Sequence, residues 1–232
     1  MTLAVVQPGY LPDLSLFAML AVADVTLVAD DLQYSTRSNL NRARIKSASG
    51  AQWLSVPVLS KGRLGQSIAA VAIDNHRDWR RRHWRSLVVN YCAAPYWDRY
   101  ERDLQDVYAR QWTQLLTLNQ TLVNILAEEL GAKSPADFTS QVPTRPGRTE
   151  KVVDLLRAWG CDAYLVQRRE RHLVDGEALA GEGFRLQVLD LEQPFYHQLF
   201  GPFIPSLSAL DVLMNEGPAA AQLLREWVRV EG

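Results

Sequence analysis

Apolar and polar positions along the chain switch repeatedly between two periods, which predicts strands alternating with helices. Residues 2–6 are a short apolar run halted by Gln7-Pro8-Gly9, the profile of a buried strand entering a tight loop. Residues 14–23 are apolar almost all round and too long for a strand, so a buried helix is expected. Residues 24–29 are β-branched and apolar and end at Asp30-Asp31, the profile of a second buried strand. Strand, loop, helix and strand in this order make a βαβ unit. Ligands of such sheets bind outside the carboxyl ends of the strands. Those ends carry Gln7 to Tyr10 and Asp30-Asp31.

Further along, residues 42–46 and 52–58 read as a hairpin around Ser47-Ala48-Ser49-Gly50, and 67–73 as another strand. Asp78 is placed to cap a helix that carries Trp79, His83, Trp84, Leu87, Val88 and Tyr91 on one stripe. A helix is expected over 112–130. A loop or hinge follows near 131–149, marked by Pro135, Pro143 and Pro146. Beyond it the pattern predicts a helix (150–159), strands (163–166 and 186–191) and helices (208–215 and 219–230). The expected class is α/β: one domain over residues 1–232, with a Rossmann-like, mostly parallel sheet flanked by helices, an inserted hairpin and a helical segment.

Composition narrows the function classes. The 232 residues are 47% hydrophobic and 22% charged, which excludes a disordered or fibrous chain. Twenty-five cationic side chains against 26 acidic ones argue against bulk coating of nucleic acid. All but four of the cations are Arg, whose planar fork suits carboxylate and phosphate. Cys92 and Cys161 make neither a metal knuckle nor a disulfide framework. The beginning of the sequence has no signal-like run, and no stretch reaches the twenty or so apolar residues of a membrane span. A cytoplasmic protein with no membrane partner is the expectation.

The densest polar stretch is 30–46, with two adjacent carboxylates, two Asn, three Arg and a Lys behind a buried strand. Two readings of it stand. One is a site in which Arg holds an anion while Asp activates a hydroxyl or amine; the other is a salt-bridge network tying a hairpin to the sheet. The loop Gln7-Pro8-Gly9-Tyr10-Leu11-Pro12 has a preset backbone, yet it lacks GxGxxG and the Walker pattern. The histidines make no metal pair, and there is no GxSxG. Trp79, Trp84 and Tyr91 read as core, and the arginines at 80, 81, 82 and 85 as a solvated face.

Taken in order, Gln7-Pro8-x-Tyr10-Leu11-Pro12, Ala23-Asp24, Asp30-Asp31-x-Gln33-Tyr34, Arg37-Ser38, Asn41-Arg42-x-Arg44-Ile45-Lys46 and Val56-Pro57-Val58 resemble the WbqC-like family of bacterial proteins. The resemblance continues through Ile73-Asp74-Asn75, Trp79-Arg80 followed by His83-Trp84, Asn90-Tyr91 and Ala94-Pro95-Tyr96. It closes with Tyr196-x-Gln198 and Phe203-x-Pro205-x-Leu207-Ser208-x-Leu210-Asp211-x-Leu213-x-Asn215-x-Gly217. It implies a role in polysaccharide or natural-product biosynthesis and a proposed glycine (aminoacyl) transfer. The chain departs from the family at Asp13-Leu14-Ser15, and at Val166-Gln167-Arg168 and His172, where the family shows Ser-Gly and a later Tyr.

The expectation is therefore a transferase moving a small acyl group, glycyl or aminoacyl, to a sugar-like or natural-product acceptor. Asp30 or Asp31 is the expected general base, and Asn41 the donor to the reacting carbonyl. Arg37, Arg42, Arg44 and Lys46 are expected to hold an anionic donor, with Gln7, Tyr10 and Gln33 also on the substrate. The expected partner is a small molecule with an anionic group, and nucleic acid enters only as an aminoacyl-tRNA donor, a carrier protein being the other macromolecular donor. No cofactor and no obligatory metal are expected, and a homodimer is expected on base rates. Two competitors stand: a nucleotide-binding, nucleotidylyltransferase-like enzyme, for which the HxGH histidines are missing, and a non-catalytic ligand-binding protein.

Overall fold

A computed structural model describes residues 1–135, 137–192 and 195–232. Its main sheet has six strands. They are β1 (Thr2–Val6), β2 (Val25–Val28), β5 (Asp137–Phe138), β6 (Ala163–Gln167), β7 (Arg185–Leu191) and β8 (Val228–Glu231), in the order β5-β2-β1-β6-β7-β8. All neighbours are parallel except β7 and β8. A separate antiparallel hairpin pairs β3 (Arg42–Ser47) with β4 (Gly50–Ser55). The fold is the mixed α/β arrangement with a mostly parallel sheet that the alternating pattern predicts.

Strand alternation sends the two sides of β1 to different layers. Leu3 packs with Val152, Val153, Leu155 and Leu156 of α5 (Arg148–Trp159), whereas Ala4 and Val6 join the cluster that holds α1 (Leu14–Val22). α1 lies against β1, β6 and β7 and under α8 (Ala219–Trp227), which explains why it is apolar nearly all round. Leu16, Phe17, Ala18, Met19 and Leu20 are all buried. Each large aliphatic side chain buried in this way contributes about 1.5–3 kcal/mol.

The larger cluster also takes in the helical segment: α2 (Trp79–Tyr91), α3 (Trp97–Ala109), α4 (Leu115–Glu129) and α7 (Ala209–Glu216). A short helix α6 (Gly176–Gly181) precedes β7. α3 is an addition to the sequence expectation, although Tyr100, Leu104, Val107 and Tyr108 are buried at helical spacing. The expected strand over 67–73 is instead a 3₁₀ turn, Ile68–Ala70, flanked by single bridges. Ile68 N and Ala69 N donate to Leu32 O and Asp30 O in the loop after β2, Ile73 N donates to Thr113 O, and Ala70 N and Val71 N bond back to Ser67 O and Ile68 O, so no continuous ladder forms. The helix expected from 112 starts at Leu115, because Thr113 and Leu115 are bonded to Ile73 and Val71. The last expected helix stops at Trp227, and the β-branched residues after it form the antiparallel edge strand β8. Asp78 precedes α2 without a side-chain cap bond. The 131–149 segment carries β5 and a 3₁₀ turn, Thr139–Gln141, and position 136 within it lies outside the described residues.

Candidate functional site

β1 is flanked by β2 on one side and β6 on the other, and the chain leaves it toward β2 and returns to it at β6. That makes β1/β6 a topological switch point, where the loops following the two strands diverge and leave a crevice. A cavity of about 380 Å³ occupies it. It opens over Gln7, Ala29 and Gln167 at the carboxyl ends of β1, β2 and β6.

The β1–α1 loop is a rigid wall. Asn119 of α4, fully buried, donates to Pro8 O at 2.9 Å and Leu40 O at 2.7 Å, and the Tyr10 amide also reaches Leu40 O at 3.0 Å. A Cβ on Gly9 would stand 3.2 Å from Asn39 O, so the close approach of the two loops favours glycine there. Leu11 has a φ of 41° and Ser206 a φ of 55°, and both line the cavity. A branched side chain in the left-handed region costs roughly 1–2 kcal/mol, and such strain clusters at binding sites. Residues 206–208 also line the cavity, and the chain there is tied to both other walls: Ser208 N bonds Arg44 O and Ala209 N bonds Pro12 O, each at 2.8 Å.

The charges are unequal. Arg37, Arg42 and Arg44 line the hairpin wall, and Arg148, Lys151 and Arg169 the wall built by α5 and the turn after β6; Asp13 and Glu170 are the carboxylates. Among the described residues none of the five arginines is in an ion pair. Arg42 is positioned by Asn39 Oδ1 (3.0 Å) and Arg37 O (3.3 Å), and its guanidinium lies 4.8 Å from the centre of the Trp53 ring. Asp13 caps α1 by accepting from Ser15 N at 3.0 Å. Tyr164 lines the wall between Arg148 and Glu170; burial pushes its phenol up to about 12, with Arg148 lowering it and Glu170 raising it. It stays protonated at neutral pH and is a hydrogen-bond donor there.

Four of the residues that the sequence singles out, Gln7, Arg37, Arg42 and Arg44, meet at this cavity. The others lie elsewhere. Tyr10 is fully buried, bonded to Tyr108 and to His83 Nδ1 at 2.8 Å, with its ring 5.5 Å from the His83 imidazole of α2. Asn41 Nδ2 donates to Val56 O at 2.8 Å and holds the foot of the hairpin. Gln33 is exposed and makes a single bridge to Ser67. Lys46 is buried, with its ammonium on Gln198 Oε1 at 3.2 Å and on Pro202 O. Asp30 accepts from Ser140 N (3.1 Å) and Ser140 Oγ (2.7 Å). Asp31 accepts from Lys151 and Thr139; partial burial alone would raise its carboxyl, but these donors hold it below the usual range. The two carboxylates thus fasten the 139–141 turn and orient Lys151, which reaches the cavity in their place.

Trp53, Arg148, Tyr164 and Glu170 lie outside the set expected from the sequence. For Trp53 the signal is present, since a hairpin turning at 47–50 places it opposite Arg44. Arg169 and Glu170 come from the turn that follows β6.

The profile of the WbqC-like protein family matches residues 7–223. A relative in Mycobacterium tuberculosis, the uncharacterized protein Rv1507c, is 34% identical over 224 residues, which are 96% of each chain. No solved structure matches the chain. Among the described residues, no helix is long and apolar enough to cross a membrane.

Proposed function

The chain belongs to the WbqC-like protein family, and on that premise we propose that it is a transferase, which moves a small acyl group, glycyl or aminoacyl, between an activated anionic donor and a sugar-like or natural-product acceptor held in the switch-point cavity. The observation that carries the reading is the set of arginines around a small-molecule-sized space with no carboxylate partners of their own. A phosphate or carboxylate supplies the missing charge, and the bidentate fork of Arg fits either.

The residues at the cavity divide the chemistry between them. The acceptor amine or hydroxyl attacks the acyl carbonyl carbon, and Glu170, the carboxylate beside Tyr164, takes its proton. Tyr164, protonated, donates to the oxygen that gains charge as the tetrahedral centre forms. The carbonyl re-forms as the donor's leaving group, a thiolate or a phosphate, departs with the electron pair of the broken bond. Arg148 and Lys151 hold the donor's anionic part, and Gln7 orients the acceptor. Asp31 acts through Lys151 as a positioning residue, and Asp30 through the turn it fastens.

The test uses calorimetric titration and thiol release with a glycyl thioester of a phosphate-bearing thiol and an amino-sugar phosphate. Wild type releases thiol only with the acceptor present. Arg148→Ala weakens binding by roughly 1.5–3 kcal/mol, the worth of a charge-assisted hydrogen bond. Glu170→Gln binds normally and turns over about a hundredfold more slowly or worse, the scale of a lost general base. Unchanged turnover in Glu170→Gln removes the base assignment, and binding that ignores Arg148→Ala removes the site.

A further inference from the structure

The hairpin wall carries a feature that an anion site alone does not need. Of the exposed large apolar side chains among the described residues, Trp53 alone lines the cavity, 48% exposed. Two guanidiniums converge on its ring, Arg42 at 4.8 Å and Arg44 at 5.9 Å from the centroid. The register explains this: Arg44 stands directly opposite Trp53, and Arg42, two residues back on the same face, reaches it diagonally. Two like charges at one ring repel each other, and the π-face offsets only part of that. A polyanion bridging both guanidiniums completes the offset, and an indole left half open beside it offers a stacking surface for a planar group.

The usual place for a phosphate in a sheet of this kind is closed here. In βαβ nucleotide sites the phosphate sits on amides at the N-terminus of the first helix. In this chain Asp13 caps α1 with its own carboxylate. Phosphates entering the cavity therefore go to side-chain cations.

We propose that the anionic ligand of the hairpin wall is a nucleotide, its base stacked on Trp53 and its phosphates bridging Arg42 and Arg44. This rests on the anion-site reading above and gives the donor or acceptor a chemical class, a nucleoside phosphate, recognised by shape and charge rather than by base edges. Aromatic stacking is sequence-tolerant, since every base has a π-face, so purine and pyrimidine nucleotides both bind.

The experiment titrates the full chain with adenosine 5′-diphosphate, uridine 5′-diphosphate and inorganic pyrophosphate. Both nucleotides bind more tightly than pyrophosphate. Trp53→Ala weakens both nucleotides by about 5- to 140-fold, the range for one base on one ring, and leaves pyrophosphate within twofold. Trp53→Tyr restores most of the loss, and Arg44→Ala weakens all three probes. The indole is half exposed, so the melting temperature of Trp53→Ala stays near wild type and keeps the comparison valid. Pyrophosphate binding as tightly as the nucleotides, or falling with them in Trp53→Ala, overturns the stack while the anion site stands. No binding of any probe, with Arg148→Ala still weakening the glycyl thioester, overturns the nucleotide alone. If Arg44→Ala and Arg148→Ala both leave every anion bound as before, the transferase site falls with it.

Discussion

Two polar assemblies share one face of the hairpin and could hardly differ more. At its open end Arg42 and Arg44 lean on a half-exposed tryptophan with no carboxylate to meet them. At its closed end Lys46 is buried, and everything around it is satisfied. Gln198 accepts from the ammonium, and its own amide donates to Tyr196 Oη (3.0 Å) and Ile204 O (3.0 Å). Tyr196 and Tyr91 donate to the two oxygens of fully buried Asp211 at 2.8 and 2.7 Å, while Tyr91 also accepts from Lys46 N. Burial lifts the Asp211 carboxyl above its usual range, and the two hydroxyls and Lys46 offset part of that. A network that closes on itself spends its hydrogen bonds on holding the fold, whereas one left open has them available for a ligand.

The comparison breaks most sharply at the closed end. Asp211→Ala leaves two buried hydroxyls and the Lys46 region without their acceptor, and the expected loss is about 3–5 kcal/mol in urea denaturation. Retention of wild-type stability would mean that the clasp is not a structural network.

Next in size is an effect of pH on the neighbouring buried cluster. His83 is buried against Tyr10, Trp79 and Tyr108, and burial lowers its imidazole to about 4, with Arg82 adding to the shift. Its folded value lies below the unfolded one near 6.5, so the unfolded chain binds the extra proton. Stability therefore rises with pH between about 4 and 6.5 and is lost on acidification through that window, by about 3 kcal/mol for this group. Denaturation curves of wild type and His83→Gln across that range isolate the contribution, because other titrating groups are common to both. Parallel slopes would show that the imidazole is not held neutral.

At the open end the same logic predicts the opposite pairing of effects. Arg44→Ala changes stability by no more than about 0.5 kcal/mol and weakens anion binding by roughly 1.5–3 kcal/mol. A variant that melts early and binds normally would move Arg44 into the structural class. The smallest effect belongs to the solvated face of α2. Arg81→Ala stays within about 0.5 kcal/mol of wild type in stability and leaves binding unchanged, and a larger binding loss there would extend the site beyond the cavity.

Long periodic segments were legible without coordinates: β1, α1, β2, α5, β6 and β7 lie within a residue or two of their expected bounds, and the hairpin turns where expected, although its second strand ends at Ser55 and not at Val58. The errors fall where local pattern and tertiary partner conflict. Residues 67–73 look like a strand, but their amides are divided between the loop after β2, the segment before α4 and the 3₁₀ turn itself. Residues 228–230 look like the tail of a helix, but the open edge of β7 captures them.

The sequence by itself determined that two loops meet at the carboxyl ends of parallel strands, and that one of them is rich in Arg, Asp and Asn. It also determined, through the period of two in β3, that Arg42, Arg44 and Lys46 share a face. Which of the three lines the cavity was left to the tertiary structure. The loop carrying Gln198 and Pro202, more than 150 residues along the chain, takes the Lys46 ammonium, whereas its continuation meets Arg44 at the backbone carbonyl, through Ser208 N. The same holds for Asp31, whose carboxylate is taken by Lys151 at a separation of 120 residues. A side chain's type and parity are local properties, but its remaining hydrogen-bonding capacity depends on every partner that burial brings to it.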